Sequence, residues 1–340
     1  MNSIIHLFYL RSYSHLIVAD GIIKQKGLPL DSVYFVLFRG VKLPPCYEKN
    51  LLYDESEIVN WRKFFMHNYF KLNRLFKDKK VCGYLPFQGE FPVIKFFDEY
   101  VFFEEGLSAY DVSFDYTRFN KKLYFKLLVK YTLIRPFVKK NLIGLYNGRL
   151  NGSPFSFECT LVGLTKESYM NVTIEKCKRE IINFSEKPLN MSSIKDSVII
   201  VMDSTRASDR MDSADGYLRI LSNVLKKLKF ESRKVYLKLH PDNFRDMEVA
   251  LDMIRKHIDF IDFSVIDESL ENIAQSNQNN IFIGNNSTIL FYAPILGSSN
   301  KSISFMRIQA EQDKLYMKSL QRWGGVEGYI SIFKDKIEFL

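Results

Sequence analysis

A histidine locked to a proline ends an apolar run in the second half of the chain. In VYLKLHPDNF, residues 235–244, the apolar residues predict a buried strand, and Pro241 prevents that strand from continuing. His240 therefore lies at a strand's carboxyl end, where open α/β sheets bind ligands. A protonated histidine can donate to a phosphate oxygen that becomes negative as a bond breaks, and Lys238 on the same face would strengthen that anion site. The alternative is a structural histidine.

Two adjacent carboxylates end an aromatic strand in the first half. In VFFEEGLSAY, residues 101–110, Glu104 and Glu105 precede Gly106, whose missing side chain allows a ligand or another segment to approach closely. Because successive side chains of a strand point to opposite faces, only one of the two carboxylates can face a given cleft. A carboxylate beside aromatic surface has a raised pKa, which suits a general base. The alternative is that both are solvated at the strand's end.

A third stretch combines a strand, a glycine and a helix start. In IFIGNNSTILF, residues 281–291, the predicted strand passes through Gly284 and an apolar helix follows. Four polar residues lie between them: Asn285, Asn286, Ser287 and Thr288. Free backbone N–H groups, the helix dipole and two hydroxyls together predict a phosphate site without a metal ion. An ordinary N-cap would account for one of these polar residues but not for four in a row.

Strands and helices alternate along both halves of the sequence. The first forty residues predict a strand, a helix and a second strand, with Ser12 or Ser14 capping the helix and Gly27 ending it. From Ser197 onward, apolar runs of strand length alternate with helical patterns of about 10 to 15 residues. This alternation predicts α/β architecture with doubly wound parallel sheets.

A polar, turn-rich stretch at residues 178–195 interrupts the alternation and predicts a linker. We therefore expect one Rossmann-like domain over residues 1–185 and a second over residues 186–310. The segment 311–340 predicts one more helix, which we expect to pack back on the first domain.

Composition limits the class of protein. A chain of 340 residues with 46% hydrophobic content suffices for two cores. The four cysteines are scattered, without CxxC pairs or metal-type spacing, which favours a reducing, intracellular setting over a disulfide framework or zinc site. No run of about 18 apolar residues and no signal-peptide pattern occurs, so we expect a cytoplasmic protein. The formal net charge of +9 favours anionic partners.

The order of the three motifs resembles that of a known enzyme group. An acidic-acidic-Gly motif, a Lys-x-His-Pro motif and a Ser/Thr pair at a helix start are similar to those of bacterial GT-B sialyltransferases. This group contains lipooligosaccharide sialyltransferases and capsular polysialyltransferases. The N-terminal strand, loop and LIVADGII helix also resemble the start of the lipooligosaccharide subgroup. The resemblance implies a GT-B fold, in which two Rossmann-like domains face each other across a cleft.

The resemblance also implies roles for the motif residues. Glu105, or else Glu104, would be the general base that deprotonates the acceptor hydroxyl. His240 would stabilise or protonate the departing cytidine monophosphate (CMP), whose phosphate Ser287 and Thr288 would hold. The remaining donor-site residues would be Lys238, Pro241, Gly284 and Asn286. The donor would be CMP-sialic acid, and the reaction a single inverting displacement without a metal ion, in agreement with the absence of a DxD motif.

The implied acceptor is a galactose-terminated bacterial surface glycan, part of lipooligosaccharide, O-antigen or capsule, with an α2,3 linkage expected. Ser12 and Tyr13, in the loop after the first strand, are candidate acceptor-side residues. The basic, aromatic segment at residues 119–140 could rest on the inner membrane beside a lipid-linked acceptor, or pack into the first core, as its helical spacing favours. The stretch MDSTRASDR, residues 202–210, could contribute Ser204 or Arg206 to the nucleotide site, or be a surface loop.

Three alternatives stay open at this point. The enzyme could use another CMP-activated acid, such as Kdo, or a different nucleotide sugar. A non-catalytic glycan-binding or export protein could share the fold, and it would be indifferent to the loss of Glu105 or His240. A nucleic-acid-binding module is suggested by charge alone, and the sequence has no basic-aromatic motif of the known kinds, so we expect no nucleic-acid partner.

Overall fold

Two parallel sheets organise the chain, one in each of two compact units, Met1–Ser185 and Glu186–Leu340. The computed structural model describes residues 4–38, 41–54, 72, 74–86, 97–104, 106–110, 145–146, 149–150, 159–169, 177–184, 188–203, 213–228, 230, 232–240 and 246–340. Within these ranges, the predicted α/β architecture with parallel sheets is confirmed.

The first unit contains a seven-stranded sheet among its described residues. The described strands of this unit, in chain order, are β1 (Ile4–Leu10), β2 (Val33–Leu37), β3 (Leu51–Asp54), β4 (Lys80–Pro86), β5 (Glu99–Phe103), β6 (Leu145–Tyr146), β7 (Arg149–Leu150), β8 (Cys159–Gly163) and β9 (Cys177–Ile181). The sheet order is β3-β2-β1-β4-β5-β8-β9, with every neighbouring pair parallel, while β6 and β7 form a separate antiparallel pair. The order reverses at β1, which has β2 on one side and β4 on the other.

The first helix, α1 (Tyr13–Lys26), follows β1 directly and agrees with the sequence prediction. Ser12 caps its amino end by accepting from the backbone N–H of His15. Gly27 ends it in the left-handed region, at φ 58°, where glycine has no steric penalty. The strands β1, β4 and β5 are buried on both faces, which is why they consist of nearly continuous apolar runs.

The second unit contains a six-stranded sheet. Its strands are β10 (Val198–Val201), β11 (Val235–Lys238), β12 (Ser264–Val265), β13 (Ile281–Gly284), β14 (Lys301–Ser304) and β15 (Glu338–Phe339), in the order β12-β11-β10-β13-β14-β15, all parallel. Its helices are α2 (Ala214–Lys227), α3 (Met247–His257), α4 (Leu270–Gln275), α5 (Thr288–Leu296), α6 (Met306–Gln312), α7 (Lys314–Ser319) and α8 (Gly325–Phe333). The order reverses at β10, between β11 and β13.

Two predictions of local structure differ from the structure. Residues 311–340, predicted as one helix, form the end of α6, the helices α7 and α8, and the strand β15. Gly324 and Gly325 interrupt the helical pattern because both have positive φ angles, 82° and 79°. The strand β9 lies partly within the predicted linker at residues 178–195.

The polar sequence of β9 follows from its place at the edge of the first sheet. Lys178 and Arg179 are exposed, so the strand lacks the apolar alternation that predicts a half-buried strand. The end of α1 contacts this edge: Gln25 donates from Nε2 to the Ile181 carbonyl (3.0 Å) and accepts from the N–H of Asn183 (2.9 Å).

The aromatic, lysine-rich segment at residues 119–140 lies outside the described residues. No helix in the described ranges is both long enough and apolar enough to cross a membrane.

Candidate active site

The carboxyl edge of the second sheet brings two of the three motifs together. Strand β11 carries Lys238 and leads to His240, and strand β13 carries Gly284 and leads to Ser287. Both strands pair with β10, in the registers Val201↔Lys238 and Ile200↔Ile283. Since neighbouring strands lie about 4.8 Å apart, the ends of β11 and β13 are separated by roughly 10 Å. This edge is also where the sheet order reverses, the usual ligand site of open α/β sheets.

The face on which His240 lies agrees with the expected alternation. Val235, Leu237 and Leu239 are buried in the core formed with α2 and α3. Lys238 and His240 are only partly buried, so they share the opposite side of the strand. Pro241 lies outside the described residues. The structure thus places the lysine and the histidine at the same edge, two residues apart.

Lys238 is held by the segment after β12. Its Nζ donates to the Asp267 carbonyl oxygen at 2.8 Å. Partial burial lowers the pKa of Lys238, and the nearby charges of Asp267, Glu271 and Glu268 oppose this effect. Burial in turn raises the pKa of Glu271, while its own backbone hydrogen bond and the Lys238 charge lower it. The lysine therefore joins β11 to the start of α4, as well as supplying positive charge.

The acidic residues around Lys238 were not singled out from the sequence. The stretch IDESLEN, residues 266–272, follows the two-residue edge strand β12, and so short a strand is difficult to predict from sequence. A cluster of carboxylates directly after an apolar run was the signal that could have revealed them.

The segment from Gly284 to Thr288 is a close-packed turn from β13 into α5. A Cβ on Gly284 would lie 3.1 Å from the Val201 carbonyl oxygen and 3.4 Å from Leu290 Cδ1, so glycine allows close contact with β10 and α5. Asn286, Ser287 and Thr288 are partly exposed at the start of α5. Asn285 is 1% exposed, and its amide has no hydrogen-bond partner among the described residues.

Ser287 differs from the other serines at the N-cap positions of the described α-helices. It occupies the N-cap position of α5, but its side chain makes no capping hydrogen bond. Three other N-cap serines use their hydroxyls for capping: Ser12, Ser213 and Ser269. Because the Ser287 hydroxyl is not used in this way, it can bind a ligand oxygen without loss of a cap.

In the first unit, Glu104 is a buried structural carboxylate. It is 1% exposed, and its Oε2 accepts from the Leu164 N–H at 2.9 Å and from the Ser168 hydroxyl at 2.7 Å. Ser168 also contacts the Tyr110 hydroxyl at 3.1 Å, and burial, followed by the Glu104 charge, raises the pKa of Tyr110. Glu105 lies outside the described residues. Glu104 is thus engaged in connecting β5 to the segment after β8.

The loop between β1 and α1 lies beside the end of β5. The buried His15 ring meets the Phe103 ring edge-on, with centroids 5.5 Å apart. His15 Nδ1 accepts from the Arg11 N–H at 3.1 Å, which fixes the loop. The Ser12 hydroxyl bonds to that of Ser14 at 2.7 Å as well as capping α1. Ser12 and Tyr13 therefore belong to a segment that contacts the end of β5 through His15, and Ser12 already has a structural function.

No group of three or more His, Cys, Asp or Glu side chains in the described ranges is arranged to hold a metal ion.

A family comparison decides the class of protein. Residues 91–305 match the family described as "Alpha-2,8-polysialyltransferase (POLYST)". The match spans more than half of the chain and contains all three motifs. The chain belongs to the alpha-2,8-polysialyltransferase family. It is therefore a glycosyltransferase, and membership of this family supports sialyl transfer.

Comparison with one solved structure, a sialyltransferase, supports the fold. The chain is similar to the sialyltransferase from Photobacterium damsela, with a TM-score of 0.50 and 10% identity over 99% of this chain and 81% of that one. It is also similar to the UDP-GlcNAc 2-epimerase from Methanocaldococcus jannaschii, with a TM-score of 0.49 and 9% identity over 98% and 88% of the two chains. No curated protein matches the sequence. The GT-B fold expected from the motifs is confirmed, since each unit is built on a parallel sheet.

Proposed function

We propose that the protein transfers sialic acid from CMP-sialic acid to a surface glycan by a single inverting displacement that needs no metal ion. The observation that carries the proposal is the carboxyl edge of the second sheet. There, Lys238 and His240 end one strand, and Ser287 and Thr288 follow a strand two positions away. Positive charge, free helix N–H groups and an uncommitted hydroxyl are the features that bind a phosphate.

In this mechanism the acceptor hydroxyl oxygen attacks the anomeric carbon of the donor. Glu105 accepts the hydroxyl proton, while the bond from the anomeric carbon to the phosphate oxygen breaks. The CMP oxygen gains negative charge as it leaves, and His240 donates to it. Ser287, Thr288 and the amino end of α5 bind the other phosphate oxygens. Attack opposite the leaving group inverts the anomeric centre.

We assign the base to Glu105 rather than to Glu104. Glu104 is buried, and its Oε2 already accepts two hydrogen bonds. Side chains alternate along a strand, so the sequence predicts that the two neighbouring carboxylates face opposite ways. The assignment therefore rests on where Glu104 lies.

For the product, the family description names an α2,8 linkage, which we adopt in place of the α2,3 linkage expected from the motifs. The acceptor would then end in sialic acid, and a galactose-terminated glycan is the comparison substrate. The formal net charge of +9 is compatible with a peripheral position at the inner membrane, beside a lipid-linked acceptor.

The experiment that tests the proposal measures CMP release from CMP-sialic acid. It is run without acceptor, with a galactose-terminated acceptor and with a sialylated acceptor, each in the presence of EDTA. We expect acceptor-dependent release by the wild type that persists in EDTA. The variants His240→Ala and Glu105→Ala should each lose at least a hundredfold in rate, the usual contribution of acid–base groups.

Two matched controls separate loss of chemistry from loss of fold. His257→Ala removes a histidine that bonds to Asp215 on the surface of the same unit, and Glu99→Ala removes an exposed carboxylate at the other end of β5. Both should keep wild-type rates. Absence of release with every acceptor would refute the donor assignment. Release that EDTA abolishes would refute the metal-independent mechanism, and release that survives in both catalytic variants would refute the roles of their residues.

A further inference from the structure

The carboxyl end of β10 carries an acidic residue that the proposed mechanism does not use. Asp203 follows this strand, at the point where the sheet order reverses. The neighbouring strand ends lead to His240 on one side and to Ser287 on the other. A ligand that spans these two residues must pass over the end of β10, because β10 is the strand between them.

Three buried tyrosines from three different helices lie near this residue. The Asp203 N–H donates to the Tyr217 hydroxyl of α2 at 3.2 Å. Burial raises the pKa of Tyr217, of Tyr316 in α7 and of Tyr329 in α8, and the negative charge of Asp203 raises all three further. The three hydroxyls therefore lie within reach of that charge. Asp203 itself is only partly buried. Asp203 thus lies close to three buried tyrosines and keeps part of its surface exposed at the edge of the sheet.

Two of these tyrosines have unsatisfied hydroxyls. Tyr316 is 3% exposed and Tyr329 is 0% exposed, and neither hydroxyl has a hydrogen-bond partner among the described residues. Buried tyrosine hydroxyls usually find a partner. Packing holds Tyr329 in place, because its ring lies edge-on to Trp323, with centroids 5.3 Å apart, and 4.6 Å from the Phe333 ring centroid. A rigid polar cluster with unused hydrogen-bonding capacity is typical of a ligand site.

We propose that Asp203 is a donor-binding residue that accepts hydrogen bonds from a neutral hydroxyl or amine of the nucleotide sugar. This assignment rests on the proposed function. A carboxylate repels the donor's phosphate, so Asp203 must meet another part of the molecule. Lys238 and the amino end of α5 attract the phosphate, and Asp203 orients the donor around it.

Two parts of the donor carry the required chemistry. The nucleoside has ribose hydroxyls and the amine of cytosine, and the sialic acid has several hydroxyls. The charged acceptor in a low-dielectric aromatic setting strengthens the hydrogen bond in either case. Loss of one such hydrogen bond should weaken binding about tenfold to a hundredfold.

The test is calorimetric titration of CMP and of CMP-sialic acid into wild type, Asp203→Asn and Asp196→Asn. Asp196 is the matched control: it lies before the amino end of β10, where it accepts from Asn279 Nδ2 at 2.9 Å. Its φ of 47° is also tolerated by asparagine. We expect Asp203→Asn to weaken binding about tenfold or more and Asp196→Asn to leave it unchanged. Weakening for both ligands assigns the contact to the nucleoside, and weakening for CMP-sialic acid alone assigns it to the sugar.

A second measurement needs no variant and covers the case in which Asp203→Asn does not fold. Wild-type protein is titrated with UMP and with 2′-deoxy and 3′-deoxy CMP, and with CMP-sialic acid shortened in its glycerol side chain. At least one analogue should bind tenfold more weakly than its parent. Equal binding of every analogue, or wild-type affinity in a folded Asp203→Asn variant, refutes the role of Asp203 and leaves the proposed donor unaffected. If the wild type binds neither CMP nor CMP-sialic acid, the proposed donor is wrong and this assignment falls with it.

Discussion

Replacing Glu104 by alanine should destabilise the first unit, whereas the same replacement of Glu105 should affect the reaction. The Glu104 carboxylate accepts from the Leu164 N–H and from the Ser168 hydroxyl, and all three residues are buried. Removing the carboxylate leaves two buried donors without their acceptor, at a cost of about 1 to 3 kcal/mol each. Ser168 can turn toward Tyr110, which lies 3.1 Å away, so we expect about 3 kcal/mol in total.

The assay is thermal unfolding followed by circular dichroism, with CMP release measured in parallel. For a unit of this size, about 3 kcal/mol corresponds to a fall of roughly 6 to 12 °C in melting temperature. Glu104→Gln keeps one acceptor oxygen and should lose about half as much. Glu105→Ala should melt near the wild type and fail to release CMP.

A double-mutant cycle with Ser168→Ala tests the physical cause. Because Glu104 and Ser168 share a hydrogen bond, their effects should be non-additive by about 0.5 to 3 kcal/mol. A melting temperature for Glu104→Ala within about 2 °C of the wild type would contradict this reasoning. So would a catalytic loss in Glu104→Gln without any loss of stability, since that result would make Glu104 the base.

Three further predictions concern other parts of the structure. Burial raises the pKa of Glu271, so folding favours its protonated form, and the free energy of unfolding should fall as the pH rises from about 4.3 to the folded pKa. Melting curves of Glu271→Gln at several pH values should lack this fall. A difference in melting temperature between wild type and Glu271→Gln that stays constant with pH would refute this prediction. Ser287→Ala should lower CMP affinity but reduce the free energy of unfolding by less than about 0.5 kcal/mol in denaturant titrations. Ser213→Ala, which removes a helix cap, should reduce it by about 1 kcal/mol. Equal losses would contradict the assignment of Ser287 to ligand binding. Tyr329→Phe should leave the melting temperature unchanged or raise it, because the Tyr329 hydroxyl has no hydrogen-bond partner among the described residues. Tyr110→Phe removes a hydrogen-bonded hydroxyl and should lower the melting temperature. The reverse order would show that the Tyr329 hydroxyl has a hydrogen-bond partner.

The sequence predicted those features that depend on neighbouring residues. The turn from β13 into α5 was predictable because glycine, polar residues and an apolar helix follow one another directly. The cap of α1 by Ser12 and its end at Gly27 were predictable for the same reason. The GT-B fold followed from the alternation of strands and helices together with the motifs.

Features that depend on distant residues were not predictable. Alternation predicted that Glu104 and Glu105 face opposite ways, but only the contacts with Leu164 and Ser168 reveal that Glu104 is buried. Asp203 resembles the first residue of an ordinary loop, and the tyrosines around it come from helices far along the chain. The assumed single helix at residues 311–340 failed because two glycines with positive φ divide it.

The contact between α1 and the edge of β9 has a consequence for behaviour in solution. An open strand edge is a template for strands of other molecules, and pairing of this kind leads to aggregation. At β9 the Gln25 amide occupies the Ile181 carbonyl, and Lys26 pairs with Glu180. The exposed Lys178 and Arg179 add charge that an incoming strand would have to desolvate. This edge of the first sheet is therefore protected against the addition of a strand from a second molecule. Aggregation through this edge is disfavoured, even at high protein concentration.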